Sequence, residues 1–165
     1  MKRNPAPWSK LRQHGVYAVE WAIVFPVFFM LIYALISYGL TFLVRESMQL
    51  AAEEGARAAL RYQQTRADRL EQARAVVQQN LAWLPQRLTA EGLVMDVDVC
   101  RLGSTQECAP NLICGSVVNS RCLVNVQLEI AYAQAPLVPA IPGLGLLLPA
   151  TLTASASVLA DPGGL

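Results

Sequence analysis

From Trp21 to Val44 the chain runs for 24 residues without a charged side chain, and no other feature restricts its possible folds as strongly. At 1.5 Å per residue such a run makes about 36 Å of helix, enough to cross a bilayer core of about 30 Å. A buried core helix normally keeps a polar face, and no polar stripe runs through this stretch, so it reads as a membrane span. The chain's 165 residues suit one domain with a modest core rather than a multidomain enzyme. A 54% hydrophobic content excludes disorder, and a formal net charge of +1 excludes a basic nucleic-acid binder.

The even balance hides an asymmetry. Lys2, Arg3, Lys10 and Arg12 precede the span with no acid among the first fifteen residues, whereas Arg45, Glu46, Glu53, Glu54 and Arg57 follow it with mixed sign. The positive-inside rule therefore places the N-terminus in the cytoplasm and everything from Arg45 onward across the membrane. The cysteines agree with that direction. Cys100, Cys108, Cys114 and Cys122 fall within 23 residues, an even number in one loop-rich region, as expected of disulfides in an oxidising compartment such as a bacterial periplasm. Zinc knuckles need short C-x₂₋₄-C spacings that are missing here, and the single histidine, His14, lies on the opposite side of the span.

Two disulfide connectivities suit a hairpin: Cys100 to Cys122 with Cys108 to Cys114 nested inside, or Cys100 to Cys108 beside Cys114 to Cys122. Cys100 shares a strand face with Asp96 and Asp98, and Cys122 shares one with Val124 and Val126. Facing cysteines must point to one side, which counts against nesting unless a bulge intervenes; both remain open at this level.

The residues before the span do not form an ordinary secretory signal, because the apolar run is too long; cleavage after Gly39, behind Ser37-Tyr38, is the conventional alternative. Glu20 stands at the membrane edge, where an acid either marks a helix start, favoured by the helix dipole, or has a partner. Gly15 followed by Val16-Tyr17-Ala18-Val19-Glu20 resembles the class III, type IV prepilin-like leader: a basic stretch ends in Gly, and the fifth residue after it is Glu. More specifically, Gly15, Val19-Glu20-Trp21-Ala22 and Pro26 are similar to the opening of the TadE-like family, minor pilins or pseudopilins of the tight-adherence (Flp) pilus apparatus. The resemblance extends through LAAEEGARAALRY and returns weakly in VNVQLEIAYAQAPLVP and TLTASASV; Trp21 stands where Phe or Tyr is common. It implies cleavage between Gly15 and Val16, and roles in processing and assembly for Glu20, Trp21 and Pro26. The implied partners are a prepilin peptidase, an inner-membrane pilus assembly platform, other pilin-like subunits including a major pilin, and membrane lipid, with no nucleic acid. Physically, Gly15 offers a side-chain-free residue on which a peptidase closes, and Glu20 is placed to pair with the α-amine of Val16 or of a neighbour. Pro26 removes one helical hydrogen bond, which membranes tolerate.

Beyond Val44 the spacing continues a helix, unbroken from Val16 to Tyr62. Glu53, Arg57 and Arg61 stand at four-residue steps, and Glu54 reaches Arg57 at three. Ala51, Gly55 and Ala59 form a small-residue face that lets another helix approach closely, or simply a surface rich in a good helix former. Thr65 with Asp68 caps a second, amphipathic helix, whose stripe Leu70, Ala73, Val76, Val77, Leu81 and Leu84 ends at Pro85. Three strands follow: Met95 to Val99, Val124 to Ile130, and Thr151 to Val158; between the last two, Ala135 to Pro149 is an apolar Pro/Gly/Leu loop.

The expected fold class is α+β: a long N-terminal membrane-spanning helix continuing into the periplasm, a second amphipathic helix, and a small antiparallel β-sheet with a disulfide-containing loop. The expected organisation is a leader at 1–15, a span at 16–44, a helical region at 45–84, a β-rich domain at 85–160 and a tail at 161–165. Catalytic chemistry has no candidate, since the exported part has neither histidine nor lysine and its acids are scattered. Asp96 and Asp98, two apart on one strand face, either hold a cation or are simply solvated. No cofactor or metal is expected. The expected role is a non-enzymatic pilin-like subunit of a pilus or secretion machine in the bacterial inner membrane. The competing reading is an uncleaved, single-span periplasmic binding module.

Overall fold

The computed structural model describes residues 14–61, 65–90, 92–102, 108, 112, 114–115, 117, 120–139 and 149–160. They form α1 (His14–Ala58), α2 (Arg66–Asn80), α3 (Gln86–Thr89), β1 (Leu93–Arg101), β2 (Cys122–Ile130), a 3-10 turn (Tyr132–Gln134) and β3 (Leu152–Leu159). The leader before His14, Tyr62, the core of the apolar loop (140–148) and the tail (161–165) lie outside the described residues. The chain forms two compact units, one ending at Tyr38 and one beginning at Gly39.

In the first unit every side chain from Tyr17 to Ile32 is exposed, although all but a few are large and apolar. A helix so composed has no soluble core to bury it, and it is long and apolar enough to cross a membrane. In lipid its backbone must satisfy itself, which a helix does and an open strand does not. Pro26 lies inside this helix.

In the second unit the rest of α1 buries Val44, Met48, Ala52 and Ala56, the four-residue steps of one helical stripe. Here α1 stops at Ala58, short of the expected Tyr62. The amides of Leu60 and Arg61 turn back to the carbonyls of Arg57 and Ala58 at 3.1 Å, i→i+3 bonds that tighten and close the last turn. The second helix starts as the sequence indicates: Thr65 Oγ1 accepts from the Asp68 amide at 3.2 Å. Its stripe buries Ala73, Val77, Leu81 and Leu84. Yet the helix ends at Asn80, not Leu84; a turn follows, and Pro85 caps the short α3, which brings Leu88 into the core.

The sheet is antiparallel, in the order β1-β2-β3. Val97 and Val99 face inward beside Val124 and Val126, and Leu128 and Ile130 beside Ala154 and Leu152. The alternate residues, among them Asp96, Asp98, Gln127 and Glu129, lie on the other face, as period-two alternation requires. Tyr132, fully buried after β2, receives a 3.2 Å hydrogen bond from Thr41 Oγ1 of α1.

The cysteines pair side by side, Cys100 with Cys108 and Cys114 with Cys122. The register explains the choice: Cys100 stands opposite Leu123 and Cys122 opposite Arg101, so the two cysteines are offset and point to opposite faces. Each therefore closes on the loop rather than across the hairpin.

Candidate functional site

The residues singled out by the leader pattern occupy the first turns of α1. The backbone is helical across Gly15 and Val16. Glu20 is exposed and lies one helical turn after Val16 along the backbone. A helix that begins at a newly cut Val16 would carry an α-ammonium group at its positive end, with this carboxylate within a turn of it. The acid favours that end of the dipole and offsets the new charge. Trp21 is 66% exposed beside it.

Pro26 lacks the amide that would bond to the Ala22 carbonyl, and its ring crowds that oxygen. On the following turn Phe25 and Phe29 set their rings 5.6 Å apart at 38°. Ile23, Val24, Val27, Phe28 and Leu31 line a shallow apolar depression of about 340 Å³. This stretch offers apolar surface, one carboxylate and a helix missing one hydrogen bond.

The small-residue face lies elsewhere in its surroundings. Ala51, Gly55 and Ala59 are buried, and at Gly55 the helix that approaches is α2 of the same chain. A Cβ on Gly55 would lie 2.5 Å from Val77 Cγ2 and 3.3 Å from the Ala73 carbonyl oxygen. The expected charge ladder is realised in part: Arg57 Nη1 lies 3.5 Å from Glu54 Oε1, whereas Glu53 accepts from Gln49 Nε2 at 3.3 Å.

Asp98 is half-buried. Burial pushes its carboxyl above the ordinary range, the Asp96 charge and a hydrogen bond with Asp96 push the same way, and Arg74 opposes them. Among the described residues no cluster of three or more His, Cys, Asp or Glu side chains could hold a metal ion.

One feature of the second unit has no local sequence signal. Phe42, Arg45, Glu46 and Gln49 of α1 wall a groove of about 910 Å³ whose other side crosses the sheet, with Asp96 of β1, Gln127 and Glu129 of β2, and Thr153 and Ser155 of β3. Gln49 Nε2 donates to the Ser155 carbonyl at 3.2 Å, and a second depression joins Glu53 and Arg57 to Ser157. The partners are 106 residues apart, too distant for any motif to pair them.

Residues 15–57 match the TadE-like protein family. No curated protein and no solved structure matches the chain.

Proposed function

From a TadE-like segment that opens at the glycine ending a basic leader, we propose that this chain is a minor pilin or pseudopilin of a tight-adherence pilus apparatus. It inserts with its N-terminus in the cytoplasm, is clipped between Gly15 and Val16 by a prepilin peptidase, and joins other pilin-like subunits, a major pilin among them, through α1. The inner-membrane assembly platform gathers these subunits. The chain performs no catalysis; its contribution is shape and charge.

The observation that carries this reading is the coincidence of two boundaries: the family match begins at residue 15, and the basic leader ends there, directly before a helix whose apolar surface is exposed from Tyr17 onward. A conventional signal would lose its apolar run on cleavage. A cut after Gly15 keeps that run in the product and frees an amine one turn from Glu20. Clipping and assembly are thereby linked, because the charge pair that accompanies helix-to-helix packing in lipid arises only after the cut.

The test is the N-terminal residue of the protein isolated from membranes of a strain with the pilus apparatus. Val16 supports the proposal. Met1 supports an uncleaved anchored module, and Leu40 a secreted domain released by a conventional peptidase; either would overturn it.

A further inference from the structure

The last turn of the uncharged run is partly covered by protein. Gly39 to Val44 belong to the second unit, and within it Thr41 and Val44 are buried while Phe42 and Leu43 stay exposed. The Thr41 hydroxyl donates to the hydroxyl of Tyr132 at 3.2 Å, and Tyr132 is fully buried. The end of the run therefore has one face against the domain and one exposed apolar face.

Contacts inside this unit order it along α1. Thr41 lies by Tyr132, Gln49 by Ser155, and Arg57 lines a depression with Val158. The register then sets Ile130 and Leu152 at the Thr41 end of the sheet, and Leu123 and Leu159, next to the Cys114–Cys122 disulfide, at the far end. The Ala133 amide bonds to the Ala150 carbonyl at 3.0 Å, so the chain leaving β2 and the chain approaching β3 meet at the Thr41 end. Past Ala133, Gln134 is exposed, Ala135 and Leu137 pack against the core, and Pro136 and Val138 are half-buried. From Ala131 to Ala160 the sequence has no charged residue.

Charge begins at one level on the helix and on the sheet. Arg45 and Glu46 of α1 share a groove with Glu129 of β2. Toward the Thr41 end from that level, α1 presents Phe42 and Leu43, and β2 leads through Ile130 and Tyr132 into the uncharged segment. We infer that this end of the unit rests in the headgroup layer of the leaflet from which α1 emerges, with the segment Gln134–Val138 in contact with phospholipid. The inference rests on the proposed reading of α1 as a membrane span.

Length selects lipid as the occupant. The uncharged residues before Thr41, Trp21 to Leu40, make about 30 Å of helix, which fills a bilayer core of about 30 Å. Thr41 then stands at the edge of the hydrocarbon, about 6 Å short of Arg45 along the axis. A hydroxyl there is costly without a partner, and Tyr132 supplies one. The segment after Tyr132 is irregular, so it suits the headgroup layer rather than the hydrocarbon, where unpaired backbone groups are not tolerated. Pro136 and Pro139 carry no amide that would need pairing. Because α1 holds this end at the bilayer, lipid is already present at high local concentration, and a second copy or another subunit would have to displace it.

The experiment uses the full-length chain in membranes of cells with the pilus apparatus. A photo-crosslinking residue replaces, one at a time, Gln134, Val138, Phe28 within the span, and Ser157. Ser157 shares a depression with Arg57, about 24 Å beyond Thr41 along the axis of α1, and serves as the reference outside lipid. After irradiation, adducts on the isolated chain are identified by mass as phospholipid or protein, and both disulfides are checked in each variant as a sign of folding. Support is a phospholipid adduct at Gln134 or Val138 roughly tenfold above that at Ser157. Phospholipid below that margin at both positions, no adduct, or adducts chiefly to a second copy or to another subunit would each overturn the inference. When it fails, phospholipid on Phe28 in the same membranes leaves the span and the proposed function standing; without phospholipid on Phe28, both fail.

Discussion

Gly55 shows how one residue sets the distance between two helices. Because α2 comes within 2.5 Å of where a Cβ would sit, the gain in helix propensity from Gly55→Ala, about 1 kcal/mol, is opposed by a clash with Val77 and the Ala73 carbonyl. Gly55→Leu has no such compensation and should destabilise the folded domain by about 1 to 3 kcal/mol, read as a lower midpoint in denaturant unfolding of the detergent-solubilised chain. Asp98 makes a different prediction. Its carboxyl titrates above the ordinary value of 3.8, through burial and then through Asp96, so the native state holds the proton more tightly than the unfolded chain. Stability from this group is greatest below the ordinary value, falls as pH rises through the raised one, and is flat above it. Asp98→Asn should therefore be more stable than the parent at neutral pH, by roughly 0.5 kcal/mol on the scale of like-charge neighbours in sheets. The advantage should shrink to nothing as pH falls below the ordinary aspartate range, as unfolding at a series of pH values would reveal.

At the scale of elements, the two disulfides fix the ends of β1 and β2 to their connecting loop, each closing a sequence separation of 8. Loops of that size restrict the unfolded chain by about 2.5 kcal/mol each in the chain-entropy account. Cys108→Ser should cost about that much while leaving Cys114 bonded to Cys122, whereas crosswise rearrangement on reduction and reoxidation would contradict the facing of Cys100 and Cys122. That facing was readable from alternation alone, because Asp96 and Val124 betray which side of each strand is wet; it disfavoured nesting without selecting the partner. Other elements were legible for similarly local reasons. Thr65 and Asp68 announce a cap, the Leu70 to Leu84 stripe announces a buried face, and the uncharged run announces a long apolar helix, a candidate membrane span. What escaped depended on tertiary context. Helix α1 stops at Ala58 although the sequence beyond it is compatible with helix. The break between Asn80 and Pro85 serves to bury Leu88, and the groove between α1 and the three strands joins residues that no sequence window contains. The small-residue face was visible, but the identity of the helix it receives was not, since spacing reports how close a neighbour can come and not which one comes.

On the scale of the whole molecule the distribution of charge makes the last prediction. Both lysines, Lys2 and Lys10, precede Gly15, and the chain from Val16 to Leu165 has none. If the leader is cytoplasmic and α1 crosses the membrane, an impermeant amine-reactive reagent added to intact spheroplasts meets no target on this protein in either form: the precursor hides its lysines, and the clipped chain keeps only the α-amine of Val16 at the cytoplasmic end of the span. Once the cells are permeabilised, the precursor that accumulates in a Gly15→Leu strain should label strongly. Bulk at the cut obstructs the peptidase, so the lysines remain attached. Glu20→Gln separates processing from assembly in the same assay. The amide preserves shape and lowers the cost of insertion, so clipping should proceed and the lysines should be lost. Co-purification with pilin-like partners should nevertheless fall, because an α-amine without its counter-charge is costly in a low dielectric. If Glu20 served only the helix dipole, the amide would cost no more than about 1 kcal/mol, and assembly would persist. Labelling of intact spheroplasts carrying the Gly15→Leu precursor would reverse the assigned orientation. A clipped Glu20→Gln chain that still joins its partners at the parental level would leave the orientation intact and remove the carboxylate from assembly.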